Sequence, residues 1–386
     1  MTLITENAAL AQFCAEQKAA SFIAVDTEFI RERTYWPILC LVQVAGPKAA
    51  AAIDALAPGI DLTPLLALMA DPTVLKVFHA ARQDVEIFFN LSGAVPDPLF
   101  DTQVAGMVCG FGDASSYETL VGKLAQTSLD KSSRFTDWSH RPLTERQIRY
   151  ALADVVHLRT IYEKLQQRLA SNGRASWYAE EMAGLTDPAT YRSEPRDAWR
   201  RFRLRGRVDP RFFGVLRELA GWRETAARQR NLPRGRIMRD EAVLEIAAHI
   251  PKTIEALART RSLGRGVAEG KLGGEILEAV QRGVSEATAP PSPAKTNVPA
   301  GVGPLVDLLR VLLEQRCEEH QVAQKLVASA EDLEMIAADD NAPVPALSGW
   351  RHEVLGKDAL ALKNGALALT VRGSRVALVE PASRFE

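Results

Sequence analysis

Asp26 and Glu28 stand two residues apart in the apolar stretch SFIAVDTEF, residues 21–29. Side chains alternate along a strand, so both carboxylates leave the same face of a sheet. Burying such a pair is costly unless something positive meets it. A bound cation satisfies that need, and so does an Arg or a strand end open to water. Asp84 follows the short run VLKVF and opens a helical stretch from Arg82 to Leu91. Strand ends and helix starts are where sites collect in α/β sheets, although the helix dipole alone also favours an acid there. Tyr150 and Asp154 are four residues apart on a long helical run, which puts them on one face, one turn apart. Asp154 is embedded in the apolar YALADVVHL. Taken singly, each feature reads as ordinary structure: a strand end, a helix-start acid, a packed tyrosine. His79, at the end of VLKVF, reads as a structural or supporting residue.

The combination points further. Two-metal phosphoryl transfer uses about four acidic side chains on neighbouring elements, holding cations ~3.5–4 Å apart. Magnesium and manganese favour such hard oxygen ligands. That chemistry needs neither a histidine base nor a covalent nucleophile. The chain carries no GxSxG, HExxH, P-loop or GxGxxG pattern that would supply another chemistry.

The surrounding pattern has to position these groups. A helix is expected from Thr5 to Lys18. Strands are expected at 21–29, 39–45 and 49–54, with a turn at Gly46-Pro47. A helix over 62–69, a strand over 74–78 and a helix over 82–91 follow. A long helix runs from Thr144 to about Leu169, and Thr144 with Gln147 makes a capping box at its start. Hairpin-linked strands followed by alternating strands and helices argue an α/β domain, a mixed sheet covered by helices. From Asp209 to about Arg282 the periodicity is wholly helical. Residues 287–304 are rich in Pro, Ala and Gly and read as a linker. Residues 305–337 are helical again, and 360–379 are strand-like with a turn at Arg372-Gly373-Ser374.

The 386 residues suggest two or three domains, and 47% hydrophobic content is enough to give each a core. A formal net charge of −1 excludes a bulk-basic nucleic-acid binder. Basic charge is local instead. Residues 192–240 hold 15 Arg and no Lys against 6 Asp plus Glu, a local net of +9. The four cysteines are far apart and form no CxxC pair, as expected of free thiols in a reducing compartment. No secretory signal is evident, and no apolar run approaches the ~18 residues of a membrane span. A cytoplasmic monomer without membrane attachment is the expectation.

VDTEF, HAARQD and RQIRYALADVVHL resemble the three exonuclease motifs of the DEDD family, in its tyrosine branch. Tyr35-Trp36-Pro37 leading into LCLVQ, Asp101-Thr102-Gln103, and DKSSRFTDWSHRPLTERQ sharpen the resemblance to the ribonuclease D family. It runs from about Ile23 to Tyr162. FFGVLRELAGWRETAARQRNLPRGRIMRDEAVLEIA is similar to the HRDC domain (helicase and RNase D C-terminal), with Leu216, Leu219, Trp222, Arg223 and Asn231-Leu232-Pro233 in its pattern.

The resemblance implies an RNase H-like exonuclease domain over residues 1–190 and an all-α HRDC domain over 208–286. After a 287–304 linker it implies a second, degenerate all-α HRDC-like domain over 305–386. It implies that Asp26, Glu28, Asp84 and Asp154 hold two divalent cations, Mg2+ or Mn2+. Tyr150 would orient the attacking water, since a phenol with a pKa of about 10 is a poor base at neutral pH. The backbone around Thr27, together with Glu28, would meet the terminal sugar, and Phe29 would stack on the terminal base. Lys131, Arg134 and Arg141 near Trp138, and Arg200, Arg201, Arg203, Arg205 and Arg207 between the domains, are candidates for RNA phosphates; the alternative for the arginine run is a solvated charged linker, or Arg paired to acids of the first domain. The activity implied is 3′→5′ exoribonucleolytic release of nucleoside 5′-monophosphates from tRNA precursors and other small structured RNAs. A DNA exonuclease and an inactive RNA-binding protein are the alternatives. Retention of all four acids speaks against the second.

Overall fold

The computed structural model describes residues 2–128, 136–204, 208–287, 289 and 301–381. The chain opens with β1 (Thr2–Ile4), α1 (Asn7–Gln17), β2 (Phe22–Ile30), β3 (Ile38–Ala45), β4 (Ala50–Asp54) and α2 (Thr63–Met69). It continues through β5 (Leu75–Phe78), α3 (Arg82–Ser92), β6 (Leu99–Asp101), α4 (Thr102–Val108), α5 (Tyr117–Leu120), α6 (Glu145–Ser171) and α7 (Ala175–Thr186). The sheet order is β1-β4-β3-β2-β5-β6, with β2–β3 and β3–β4 antiparallel and the other pairs parallel. The mixed sheet expected from the sequence is present, with β2 near its centre. The edge strands β1 and β6 were not read, because three residues are too few for a period to register.

Alternation along β2 divides its side chains between two layers. Ile23 and Val25 join Leu10, Leu65, Val85 and Phe88 beneath α1, α2 and α3. Ala24 faces the other way, toward Val155, Leu158 and Ile161 of α6. The even-numbered Asp26 and Glu28 therefore look toward α6, and the odd-numbered Thr27 looks toward α3. The capping box fixes the start of α6: Gln147 N–H donates to Thr144 Oγ1 at 3.3 Å, and Thr144 N–H donates to Gln147 Oε1 at 2.8 Å.

A helical unit follows, from α8 (Pro210–Arg230) through α9 (Arg234–Ile237), α10 (Asp240–His249), α11 (Ile254–Leu257), α12 (Arg265–Ala268) and α13 (Lys271–Ser285). α8 and α13 cross at Gly214 and Gly283. A methyl group on Gly214 would stand 2.2 Å from the Gly283 carbonyl, so neither position tolerates a side chain. The unit docks on the six-stranded domain through Tyr35, in the connection between β2 and β3. Its hydroxyl donates to Glu224, which is 1% exposed and is clamped by Arg234 through bonds of 2.5 and 2.6 Å.

The last unit comprises α14 (Gly303–His320), α15 (Gln324–Val327), α16 (Ala330–Ala338), α17 (Gly349–Arg351) and α18 (Lys357–Lys363), then the hairpin β7 (Ala368–Arg372) and β8 (Arg375–Val379). Gln321, Gln324 and Ala330 each stand 90 residues after Asn231, Arg234 and Asp240. Both α8 and α14 end in a left-handed cap, each followed by a four-residue helix and then a longer one. The basic residues do not repeat: Arg228, Arg234 and Arg239 face Glu318, Gln324 and Ser329 at that offset. This unit is fused to the catalytic domain. Trp350 stacks on Trp177 with ring centroids 4.4 Å apart. Ala323 N–H donates to the Met107 carbonyl at 3.0 Å. Arg174 donates to the carbonyls of Val108 and Gln321 at 2.8 Å, and Arg351 pairs with Glu180 and Glu181. The apolar cluster below these contacts is continuous from α4 and α6 into α14 and α16.

Most of the expected linker (288 and 290–300) lies outside the described residues, as do Lys131, Arg134, Arg205 and Arg207. A shared core predicts shared unfolding. Trp350→Ala should cost about 3–5 kcal/mol and lower the urea midpoint of the catalytic sheet along with that of the C-terminal unit. A separate C-terminal transition, with the sheet unaffected, would contradict it.

Candidate active site

One carboxylate oxygen from each of Asp26, Glu28 and Asp154 lies within 4.8 Å of the other two. β2 supplies the first pair from consecutive outward positions, and α6 lays Asp154 over them. Asp84 comes from the opposite layer, in the first turn of α3, and is buried. It is joined to the cluster through Thr27, whose hydroxyl donates to Asp84 Oδ1. One strand thus presents acids on one face and a tether for the fourth acid on the other.

Two supports set the approach of Asp84 and Asp154. Asp101 accepts from the backbone N–H groups of Ala80 and Ala81 at 3.2 and 2.8 Å, and from Gln103 and Val104 at 2.7 and 3.2 Å. It caps α4 and also fixes the turn that launches α3, where Ala80 holds a positive φ of 56°. Tyr117 donates to the main-chain carbonyls of Asp154 and Ala153, pinning α6 at the ligand. Neither residue was singled out from the sequence; Asp101 carried a signal in the Asp-Thr-Gln motif, whereas Tyr117 carried none. His79 is half-buried, its Nδ1 lies 3.0 Å from Thr102 Oγ1, and desolvation pushes its pKa down to about 4. It is a neutral packing residue.

The electrostatics are those of an anion cluster without a counter-charge. Burial first, then repulsion from Asp26, Asp154 and Asp84, raises Glu28 to about 9. Burial and Asp26 raise Asp154 to about 8. Burial raises Asp26 to about 6 and holds Asp84 well above the usual carboxylate range. No Lys, Arg or His among the described residues forms an ion pair with any of the four. Gln43 adds a second sign of a missing partner. It is directly across from Asp26 on β3 and fully buried, and neither its Oε1 nor its Nε2 has a hydrogen-bond partner. Leaving buried amide atoms unpaired is costly. Four hard oxygen donors, raised acids and an orphaned amide beside them fit a divalent-cation site.

Tyr150 lies one turn before Asp154, with its ring 6.2 Å from the buried Trp138. Thr27 is buried with its hydroxyl committed to Asp84, and Phe29 is half-buried against the core below α3. Arg141 is not the free cation its charge suggested. Its Nε and Nη2 clamp Asp54 at 2.7 and 2.6 Å, and its remaining donors reach the carbonyls of Cys40, Trp138 and His140. All five guanidinium hydrogens are taken within the protein, so Arg141 is a cross-link and has none to offer RNA. Arg201 and Arg203 are exposed and have no hydrogen-bond or ion-pair partner among the described residues.

An acid whose pKa is raised on folding stabilises the fold below its ordinary pKa, and that stability is lost as pH rises through the raised value. Without cation, the cluster should therefore destabilise the protein progressively up to about pH 9, the value of Glu28. The rise in Tm produced by Mg2+ or Mn2+ over EDTA is expected to be larger at alkaline than at mildly acidic pH; an increment independent of pH would argue against carboxylate ligation. Gln43→Leu should stabilise the EDTA-treated protein by about 1–3 kcal/mol while shrinking the cation-induced rise. A lower Tm in both conditions would mean that the amide is already satisfied.

The 3′-5′ exonuclease family profile matches residues 1–170, and that of the HRDC domain matches residues 212–280. Ribonuclease D of Granulibacter bethesdensis is 50% identical over 381 residues, spanning 98% of this chain and 96% of that protein. Ribonuclease D of Acidiphilium cryptum is 51% identical over 383 residues, spanning 98% and 97%. The crystal structure of Escherichia coli RNase D, an exoribonuclease involved in structured RNA processing, superposes with a TM-score of 0.76 at 30% identity, covering 93% of this chain and 97% of that one. Near full-length identity of this order, on the same mixed sheet and helical units, makes the chain a member of the ribonuclease D family of 3′→5′ exoribonucleases.

Proposed function

We propose that the enzyme shortens RNA from its 3′ end by two-metal-ion hydrolysis, releasing nucleoside 5′-monophosphates. The observation that carries this reading is the close approach of Asp26, Glu28 and Asp154 with no cationic partner, and Asp84 held beside them by Thr27. When bound, two divalent cations, Mg2+ or Mn2+, supply a lowered pKa for the attacking water and charge neutralisation at the leaving oxygen. Asp26, Glu28, Asp84 and Asp154 hold them. Tyr150, one turn from Asp154, orients the water; its contact with Trp138 limits where the phenol can point. Glu28 and the backbone at Thr27 meet the terminal sugar, and the exposed Arg201 and Arg203 meet phosphates.

The substrates proposed are tRNA precursors and other small structured RNAs, a reading supported by the E. coli relative's role in structured RNA processing. The proposed organisation is an exonuclease domain over 1–190, an HRDC domain over 208–286, a linker over 287–304 and a second HRDC-like domain over 305–386. The 90-residue offset between the helices of the two units supports the last assignment. Among the described residues no helix is long and apolar enough to cross a membrane. All four cysteines are free and buried, which fits a reducing cytoplasm. A monomer is proposed.

The test is digestion of 5′-labelled, 3′-tailed RNA and matched DNA with Mg2+, Mn2+ or EDTA, using wild type and Asp154→Asn. A metal-dependent ladder from the RNA 3′ end is expected, at least ~100-fold slower in Asp154→Asn. Equal shortening of DNA would replace the reading with a general exonuclease. Binding without cleavage by the wild type would replace it with an inactive RNA-binding protein.

A further inference from the structure

A cleft of about 520 Å3 lies between the catalytic domain and the first helical unit. Its catalytic wall includes the face of α3 that carries Arg82, Glu86 and Phe89. Helical residues turn about 100° each, so Asp84 points to the opposite side of the same first turn. The cleft and the carboxylates are neighbours separated by the start of α3. The residues after β2 lead from one to the other, since Glu28 belongs to the cluster and Arg31 to the cleft.

The arginines lining the cleft fall into two groups. Arg31 is paired with Glu86 at 2.6 and 2.9 Å, Arg234 clamps Glu224, and Arg228 donates to Tyr35 and Ser193. These hold the walls. Arg82, Arg192 and Arg201 have neither a hydrogen bond nor an ion pair among the described residues. They come from three different segments: the start of α3, the stretch after α7, and the turn Pro195–Arg201. Three unpaired guanidinium groups line one recess against a single acid unpaired among the described residues, Glu194, and a polyanion suits that excess of positive charge. Aromatic side chains line the same cleft. Trp36 is 37% exposed, and Tyr191 and Phe89 have ring centroids 5.8 Å apart. Cations and aromatic rings lining one cleft suit a strand whose bases are unstacked, because every base has a face to stack. A duplex keeps its bases inside and offers only its backbone.

We propose that this cleft binds the unpaired RNA immediately upstream of the scissile 3′ nucleotide, with Arg82, Arg192 and Arg201 on its phosphates and Trp36 and Tyr191 against its bases. The proposal rests on the ribonuclease reading above and adds where the strand runs and which side chains hold it. The Tyr35–Glu224–Arg234 contact holds the two walls together, so the cleft is preorganised for the strand.

The test measures binding of 3′-tailed and blunt hairpin RNA across a salt series, in full-length protein carrying Asp154→Asn to prevent cleavage. Arg82, Arg192 and Arg201 are changed together, to Ala in one variant and to Lys in another. Each phosphate contact on a single strand contributes about 0.7 to the slope of log affinity against log salt. The Ala variant should lose roughly 2 from that slope and on the order of 10-fold or more in affinity for tailed RNA. The Lys variant should keep most of the slope, which a merely structural defect would not allow. Tailed RNA should bind more tightly than blunt RNA, and the Ala changes should erase the difference. An unchanged salt slope in the Ala variant overturns the proposal, as does equal dependence of blunt RNA on the three residues. Failure of the Asp154→Asn parent to bind any RNA would instead strike the ribonuclease reading itself.

Discussion

Asp26, Glu28 and Asp154 reach one small volume while Asp84 approaches from the other side of the strand, and like charges at that spacing repel. Between the four carboxylates themselves nothing is attractive until a cation or a proton enters. The energy that brings the acids together must therefore come from elsewhere in the fold. It comes from burial of the two layers flanking β2, Ile23 and Val25 on one side and Ala24 with Val155 and Leu158 on the other. Those layers are large, and each acid rides on an element whose position they already determine. Asp101 and Tyr117 then remove the remaining freedom, one at the turn before α3 and the other at the middle of α6. The outcome is preorganisation: the carboxylates are held together by the fold itself, at a standing cost in stability.

The same division of labour extends to the basic residues. Arg141 and Arg234 are locked into carboxylates and carbonyls and serve as cross-links. Arg201 and Arg203 remain open to solvent. A count of charges does not separate the two classes, because the distinction lies in which partners the fold brings near. The two helical units diverge along this line. The first carries the arginines and stays at the rim of the catalytic domain. The second lacks them at the 90-residue offset and is fused to that domain through Trp350, Arg351 and Ala323.

The ligand set was largely legible because its signals are local. Asp26 and Glu28 follow from strand alternation, and Tyr150 and Asp154 from helical spacing. The order of motifs then joined segments that neither period could join. The rest depends on contacts between residues distant in sequence. The motif points to the backbone at Thr27 and is silent on its hydroxyl, which is the link to Asp84, 57 residues away. Tyr35-Trp36-Pro37 appeared as a flank of the exonuclease motifs and is in fact the seat of the first helical unit, with 189 residues between Tyr35 and Glu224. Gln43 stands inside the expected strand 39–45, and nothing local marks it as unpartnered. That it is sealed without a partner follows from the packing of α6 above it.

The fusion of the last unit also bears on the order in which the molecule can be completed. Arg351 reaches back 171 residues to Glu180, and Arg174 reaches forward 147 residues to Gln321. The first helical unit, by contrast, builds its core within 198–280. Domains generally fold as units while the chain is still being made, and distant contacts close late. On the ribosome, then, the middle of this chain can finish before its beginning does. The apolar side of α4 and α6 stays open until the final helices emerge, so a nascent or prematurely terminated chain presents that surface to whatever binds exposed apolar residues.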